Sequence, residues 1–107
     1  MSAPFVTTLR ARRSTIRIAP EGAQTITIRV EMPEVWDVVR IVASPAQPVI
    51  EAKTAALDSL RPETAPDEMV VKFQGWEILD EMASLADAGV ADGSILLVMF
   101  RRRRPVR

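Results

Sequence analysis

Alternating polar and apolar residues predict four main β-strands along this chain. Residues 25–32 alternate most clearly, residues 38–42 and 69–73 are rich in β-branched side chains, and residues 94–100 end in an apolar run. A period of two places one set of side chains in a core and leaves the other set in solvent. Proline and acidic residues at positions 33–37 predict a turn between the first two strands.

One amphipathic helix is predicted between the second and third of these strands. Pro48 suits its first turn, because a proline there gives up no helical hydrogen bond, and Arg61 followed by Pro62 ends it. Mostly apolar residues recur at spacings of three, four and seven, which predicts one buried stripe. The residues of this stripe are Val49, Ile50, Lys53, Ala56, Leu57 and Leu60.

Three weaker signals complete the predicted order of elements. Residues 77–79 suggest a short strand, and residues 85–90 suggest a single helical turn closed by Gly89. Residues 15–18 alternate as well, and a turn signal at residues 20–22 separates them from the first main strand. Three placements are open for this extra strand: a free edge of the sheet, a second copy of the chain, or no pairing at all.

The composition argues against catalysis. The chain of 107 residues suits one domain, and it contains neither cysteine nor histidine. It therefore lacks thiol nucleophiles, thiolate metal ligands and the side chain best suited to proton transfer near neutral pH. Asp80 and Glu81 are adjacent and point apart on a strand or turn, so we interpret them as residues that solvate a turn. We expect a protein that is not an enzyme and holds no metal or cofactor.

Charge is unevenly distributed although the formal net charge is zero. Residues 1–20 hold four arginines and residues 101–107 hold five, with no acidic residue in either segment, whereas residues 21–100 hold five basic and fourteen acidic residues. The preference for arginine over lysine fits a GC-rich bacterial coding bias. The longest apolar run, Ile95–Phe100, is too short for a membrane span. No secretory signal is recognisable, so we expect a cytoplasmic protein.

Several segments resemble ubiquitin in sequence and in spacing. They are residues 42–45, 48–53, 73–75, 85–90 and 92–101. Lys53 falls where ubiquitin also has a helix lysine. The resemblance implies an α+β, ubiquitin-like β-grasp fold: a mixed sheet of four to five strands, one main helix, and an extra N-terminal arm or strand. The opening half is also similar to the small ubiquitin-like proteins of bacterial type VII secretion systems.

The resemblance divides the chain into an N-terminal arm with an extra strand (1–24), a ubiquitin-like domain (25–101) and a basic tail (102–107). Ubiquitin continues to a reactive pair of glycines, whereas no glycine follows Gly93 here. Conjugating enzymes need glycine there, because only a backbone without side chains fits their narrow channel. We therefore expect a protein-binding adaptor or assembly component that is not conjugated. A covalent modifier or sulfur carrier with unusual maturation is an alternative.

The resemblance also places a candidate recognition surface. Ubiquitin's apolar patch would fall at Lys72, Leu97 and Met99, so standard ubiquitin receptors are not expected to fit. We predict that these residues form a different patch together with Trp36 and Trp76, because large aromatics and methionine are enriched in interfaces. The other interpretation is that both tryptophans pack at loop edges or on the N-terminal extension. The predicted partner is another protein.

The arginine-rich tail offers an alternative function. Arg101, Arg102, Arg103 and Arg104 would attract nucleic acid or other phosphates. We favour a solvated tail or one that folds back on the acidic body, because nucleic-acid modules usually add aromatic stacking or a groove-reading element.

Overall fold

Six β-strands and one α-helix make up residues 15–101, the part of the chain that the computed structural model describes. In chain order they are β1 (Thr15–Arg17), β2 (Ile26–Met32), β3 (Asp37–Ala43), α1 (Val49–Leu60), β4 (Met69–Phe73), β5 (Trp76–Glu77) and β6 (Ile95–Phe100). Two short 3-10 turns, Pro33–Val35 and Pro66–Glu68, precede β3 and β4. The four main strands and the helix agree closely with their predicted positions.

All six strands join one mixed sheet in the order β1-β3-β2-β6-β4-β5. β2 and β3 form the predicted antiparallel hairpin, and β6 returns beside β2 in parallel, which requires a long crossover that includes α1. β4 pairs antiparallel with both β6 and β5. The predicted α+β architecture is confirmed, and the sheet has six strands because the extra N-terminal strand joins it.

α1 covers one face of the sheet and encloses an aliphatic core with it. Buried side chains alternate along β2 and β6, as the sequence pattern predicts, and α1 contributes a stripe of side chains three and four residues apart. Fully buried core positions include Ile28, Val30, Met32, Ile41, Val49, Ala52, Ala56, Leu57, Leu96 and Val98. We call the opposite face of the sheet, which α1 does not cover, the open face.

β1 occupies the edge of the sheet beside β3, which settles where the extra strand pairs. It runs parallel to β3, with Ile16 opposite Ile41. The Ile18 N–H donates to the Val42 carbonyl at 2.9 Å, and the Gln47 side-chain amide donates to the Ile18 carbonyl at 2.9 Å. β1 therefore covers backbone groups that β3 would otherwise present unpaired at an edge.

The buried stripe of α1 contains one charge, and its partner comes from the loop after β5. The Lys53 ammonium donates to both carboxylate oxygens of Glu81 at 2.9 and 3.0 Å; the lysine side chain is 1% exposed and that of Glu81 17%. The interpretation of Glu81 as a residue that solvates a turn is therefore wrong. Asp80 does fit that interpretation, because its carboxylate accepts a hydrogen bond from the Met82 N–H at 3.1 Å.

Two short elements differ in detail from the prediction. The short strand expected at residues 77–79 lies slightly earlier, at Trp76–Glu77. The expected helical turn is a hydrogen-bonded turn in which Gly89, at φ +88°, lets the Val90 N–H reach the Leu85 carbonyl at 2.9 Å.

Candidate binding surface

β6 is apolar on both of its faces, although α1 covers only one of them. Leu96 and Val98 point into the core and are buried. Because successive side chains of a strand point to opposite faces, Ile95, Leu97 and Met99 lie on the open face. Ile95 is 45% exposed, and the other two are partly exposed. We call these three residues the apolar stripe.

The strands beside β6 supply the neighbours of the apolar stripe. The register of β4 places Lys72 directly opposite Leu97, and Val70 directly opposite Met99. On the other side of β6, Glu31 of β2 is the residue opposite Leu97. The structure therefore brings Lys72, Leu97 and Met99 together on one surface, and their role in binding stays a prediction.

Trp76 lies apart from this group, on the helix side of the sheet. Gln74 and Gly75, at φ +54° and +86°, form a two-residue hairpin turn between β4 and β5. This turn makes Phe73 and Trp76 direct partners, so their side chains share a face. Phe73 packs against the core, and Trp76 is 79% exposed beside it on the edge strand. The register thus separates Trp76 from the patch that was expected to contain it.

Trp36 ends the 3-10 turn between β2 and β3. It has a left-handed φ of +54°, and its N–H donates to the Pro33 carbonyl at 3.2 Å. The Glu34 carboxylate accepts a hydrogen bond from the Phe100 N–H at 3.3 Å, which holds this turn against the end of β6. Trp36 is 94% exposed and stands at the Met99 end of the apolar stripe.

Two shallow grooves flank the turn at residues 92–93 that leads into β6. The larger, about 570 Å³, reaches towards the hairpin of β4 and β5, and Lys72 and Leu97 help to line it. The smaller, about 230 Å³, lies on the side of β2 and β3, and Arg29 and Arg40 help to line it. Asp92 and Gly93 of this turn line both grooves, so the grooves adjoin each other there.

The pairing of the two arginines in the smaller groove was not predicted from the sequence. Arg29 of β2 lies directly opposite Arg40 of β3, and both residues are exposed. The alternation in residues 25–32 does place Arg29 on the polar face of its strand. Its cross-strand partner depends on the hairpin register, however, which the intervening turn of irregular geometry leaves open.

Arg101 is the first residue of the predicted run of four arginines. Its guanidinium donates to the Asp67 carbonyl at 3.2 Å and lies 4.0 Å from the Glu77 carboxylate. These contacts hold Arg101 on the acidic body of the domain. Arg102, Arg103 and Arg104 lie outside the described residues, as do the remainder of the tail and residues 1–14.

The acidic residues of the described chain are dispersed. Among residues 15–101, no group of three or more aspartate or glutamate side chains comes together as a potential metal site. On the open face, Glu31 on β2 and Glu77 on β5 are separated by β6 and β4, a distance of roughly 14 Å at the usual strand spacing. Two carboxylates that act on one substrate bond lie closer together than this. Within the same residues, no helix has the length and apolar character needed to cross a membrane.

Comparison with known proteins shows the fold. No protein-family model matches the sequence, and no curated protein matches it either. The structure resembles Caldiarchaeum subterraneum ubiquitin with a TM-score of 0.63 and 18% identity, covering 77% of this chain and 100% of that one. The ubiquitin-like domain of Plasmodium falciparum Dsk2 also gives 0.63 at 18% identity, covering 73% and 100%. The ubiquitin-like domain of an Arabidopsis thaliana protein gives 0.63 at 16% identity, covering 84% and 92%. The described chain therefore has the ubiquitin-like β-grasp fold that the sequence resemblance implied.

Proposed function

We propose that this chain is a ubiquitin-like protein-binding module, an adaptor or assembly component that binds its partner without being conjugated to it. The observation that carries the proposal is the apolar stripe on the open face. A strand with one solvated face normally alternates apolar with polar residues. Three successive open-face positions of β6 are apolar instead, and contact with a second protein explains this departure.

The surroundings of the apolar stripe support a protein partner. Lys72 and Glu31 flank Leu97 on opposite sides, so a polar rim borders an apolar centre, as in many protein interfaces. Trp36 at the Met99 end adds an exposed indole, a side chain enriched among the residues that dominate binding energy. The larger groove beside the stripe offers a concave seat for an apolar side chain of the partner.

The same surface gives little support to catalysis. The sequence supplies no histidine or cysteine as a base or nucleophile. On the open face, the carboxylates of Glu31 and Glu77 belong to β2 and β5, which are not neighbouring strands. We therefore assign the open face a binding role alone.

Site-specific photo-crosslinking in cells that express the full chain tests the proposal. A photoreactive phenylalanine analogue in place of Ile95 puts the probe on the open face, and the same analogue in place of Glu51, exposed on α1, is the matched control. We expect a discrete protein adduct, identified by mass spectrometry, from the first position only. The same adducts from both positions, or none from the open face, would overturn the proposal.

Two substitutions then separate the open face from the helix side. Leu97→Arg places a charge in the centre of the apolar stripe, so affinity for the crosslinked partner should fall at least about tenfold. Trp76→Ala removes a more exposed apolar side chain from the other side of the sheet, and the affinity should not change. Circular dichroism checks that both variants keep the fold. Loss of binding in the Trp76 variant alone would move the site to the helix side.

A further inference from the structure

Two arginines face each other on the open face beside the apolar stripe. Arg29 of β2 is directly opposite Arg40 of β3, and on its other side Arg29 is opposite Ile95 of β6. Like charges at directly opposed positions repel each other and destabilise a sheet. The pair therefore does not help folding, and a binding role is the alternative explanation.

The acidic groups nearby only partly offset this charge. Glu31 approaches Arg29 at 3.8 Å, near the outer limit of an ion pair. Asp92 already accepts a hydrogen bond from the Thr27 N–H at 2.8 Å. All fourteen acidic residues of the chain lie within the described residues, and none of the four ion pairs found there includes Arg40. The Arg40 guanidinium is therefore available to an external carboxylate.

A third arginine and a groove extend the positive surface. Arg17 of β1 is opposite Val42, two residues along β3 from Arg40, and so lies on the same face at the sheet edge. Arg29 and Arg40 help to line the smaller groove of about 230 Å³. This groove adjoins the larger one, which Ile95 helps to line. Positive charge and an apolar seat thus lie side by side.

We infer that this part of the open face recognises acidic side chains of a partner polypeptide at Arg29 and Arg40, while an apolar side chain of the same segment packs on Ile95 and Leu97. The inference rests on the proposed protein-binding role and names the chemistry of the partner. A guanidinium suits a carboxylate because it can donate two parallel hydrogen bonds to it. From Arg40 to Ile95 the segment crosses two strand spacings, roughly 10 Å, which about three or four extended residues span.

The charge of the domain body, residues 21–100, favours a short acidic polypeptide over a nucleic acid. Residues 21–100 carry fourteen acidic against five basic residues, so a long polyanion would meet repulsion beyond the arginine pair. Surfaces that bind single-stranded nucleic acid also combine positive charge with aromatic side chains on which bases stack. Here Trp76 lies on the helix side of the sheet, and Trp36 stands at the Met99 end of the apolar stripe, whereas Arg29 is opposite Ile95 at the other end. A short acidic segment needs only the local positive charge.

Peptide selection on the full chain tests the inference. A phage-displayed library of random peptides is selected on the immobilised protein, and the enriched peptides are sequenced and synthesised. We expect aspartate or glutamate next to leucine, isoleucine or another apolar residue. Enrichment of neutral or basic peptides, or no enrichment, would overturn the inference.

Charge-matched variants locate the contact. Arg40→Gln removes one positive charge from the arginine pair, and Arg61→Gln removes one beside Phe100 at the end of α1. By fluorescence polarisation, affinity for a selected peptide should fall about threefold in the Arg40 variant and about tenfold in Arg29→Gln/Arg40→Gln. It should not change in the Arg61 variant. The losses should shrink at high salt, because exposed charges are screened. Equal affinities of the Arg40 and Arg61 variants would contradict the inference.

The same variants show whether a different kind of ligand binds at the arginine pair. If single-stranded oligouridylate binds more tightly than the peptide and is lost with Arg29→Gln/Arg40→Gln, the surface belongs to nucleic acid and the inference is wrong. Self-association in analytical ultracentrifugation that the same double variant abolishes would assign the surface to a second copy, with the same consequence. If peptide affinity falls when Leu97 is substituted but does not change when either arginine is substituted, the protein-binding function stands and only the inferred acidic partner is wrong. Failure of photo-crosslinking from the open face would contradict both the protein-binding function and the acidic partner.

Discussion

The buried ion pair between Lys53 and Glu81 predicts an asymmetric response to substitution. The ammonium of Lys53 is almost fully buried, and it donates to both carboxylate oxygens of Glu81. Glu81→Leu leaves a buried cation without its counter-charge, which should lower the free energy of unfolding by about 3–5 kcal/mol. Lys53→Met leaves a carboxylate that is 17% exposed and can turn towards water, so we expect a smaller loss of about 1–2 kcal/mol.

These losses are large for a domain of this size. Its total stability should be about 5–15 kcal/mol, so loss of the counter-charge removes a substantial share. A change of about 4 kcal/mol corresponds to a fall in Tm of roughly 15–30 °C. The double variant Lys53→Met/Glu81→Leu removes both charges and fills the site with apolar groups. It should therefore lie within about 1 kcal/mol of the natural sequence, which makes the two single effects strongly non-additive.

Urea unfolding followed by far-UV circular dichroism measures these free energies. The pair between Arg61 and Glu63 is the control, because its nitrogen and oxygen are only 2.7 Å apart but both side chains reach solvent. Glu63→Leu should be nearly neutral, since exposed ion pairs contribute little. If Glu63→Leu lowered the free energy of unfolding as much as Glu81→Leu, the distance between the charges rather than their burial would determine how much an ion pair contributes to stability. Equal losses from Lys53→Met and Glu81→Leu would refute the reasoning on solvent access.

Three further changes test other features of the structure. Arg40→Thr removes the repulsion with Arg29 and adds a β-branched residue, so urea unfolding should give a gain of about 0.2–1 kcal/mol; a loss would show that the arginines do not repel each other appreciably. Gln74→Asn creates an Asn-Gly turn where both residues have positive φ, so calorimetry should show a higher Tm; a lower Tm would contradict the turn assignment. Deletion of residues 1–18 removes β1 and uncovers the edge of β3, so light scattering should detect association that increases with concentration. A variant that stays monomeric would show that β1 is not needed to protect that edge.

The main elements could be predicted because their signals are local, whereas the contacts between distant segments could not. Pro48 predicted the start of the helix and is its N-cap residue. The side of the sheet on which Trp76 lies follows from the two-residue turn that pairs it with Phe73, and the strand predicted at residues 77–79 began one residue too late to show this pairing. No local signal predicted which strand β1 pairs with, because a three-residue strand in a parallel pair has no short connecting turn that would specify its partner. The contact between Lys53 and Glu81 joins residues 28 positions apart, so it follows only from the folded chain.

Two departures from ordinary sheet design lie side by side on the open face, and their proximity argues for function. On the helix side the buried charge of Lys53 has its counter-charge, and among the described residues no buried side-chain polar atom lacks a hydrogen-bond partner. On the open face an apolar stripe meets solvent and two arginines oppose each other. Natural sequences keep local choices consistent with the fold except where function requires otherwise. A variant with a conventional open face, Leu97→Thr/Arg40→Thr, should therefore fold about as stably as the natural chain and lose the crosslinked partner. If it retained that partner at full affinity, the departures on this face would have no role in binding.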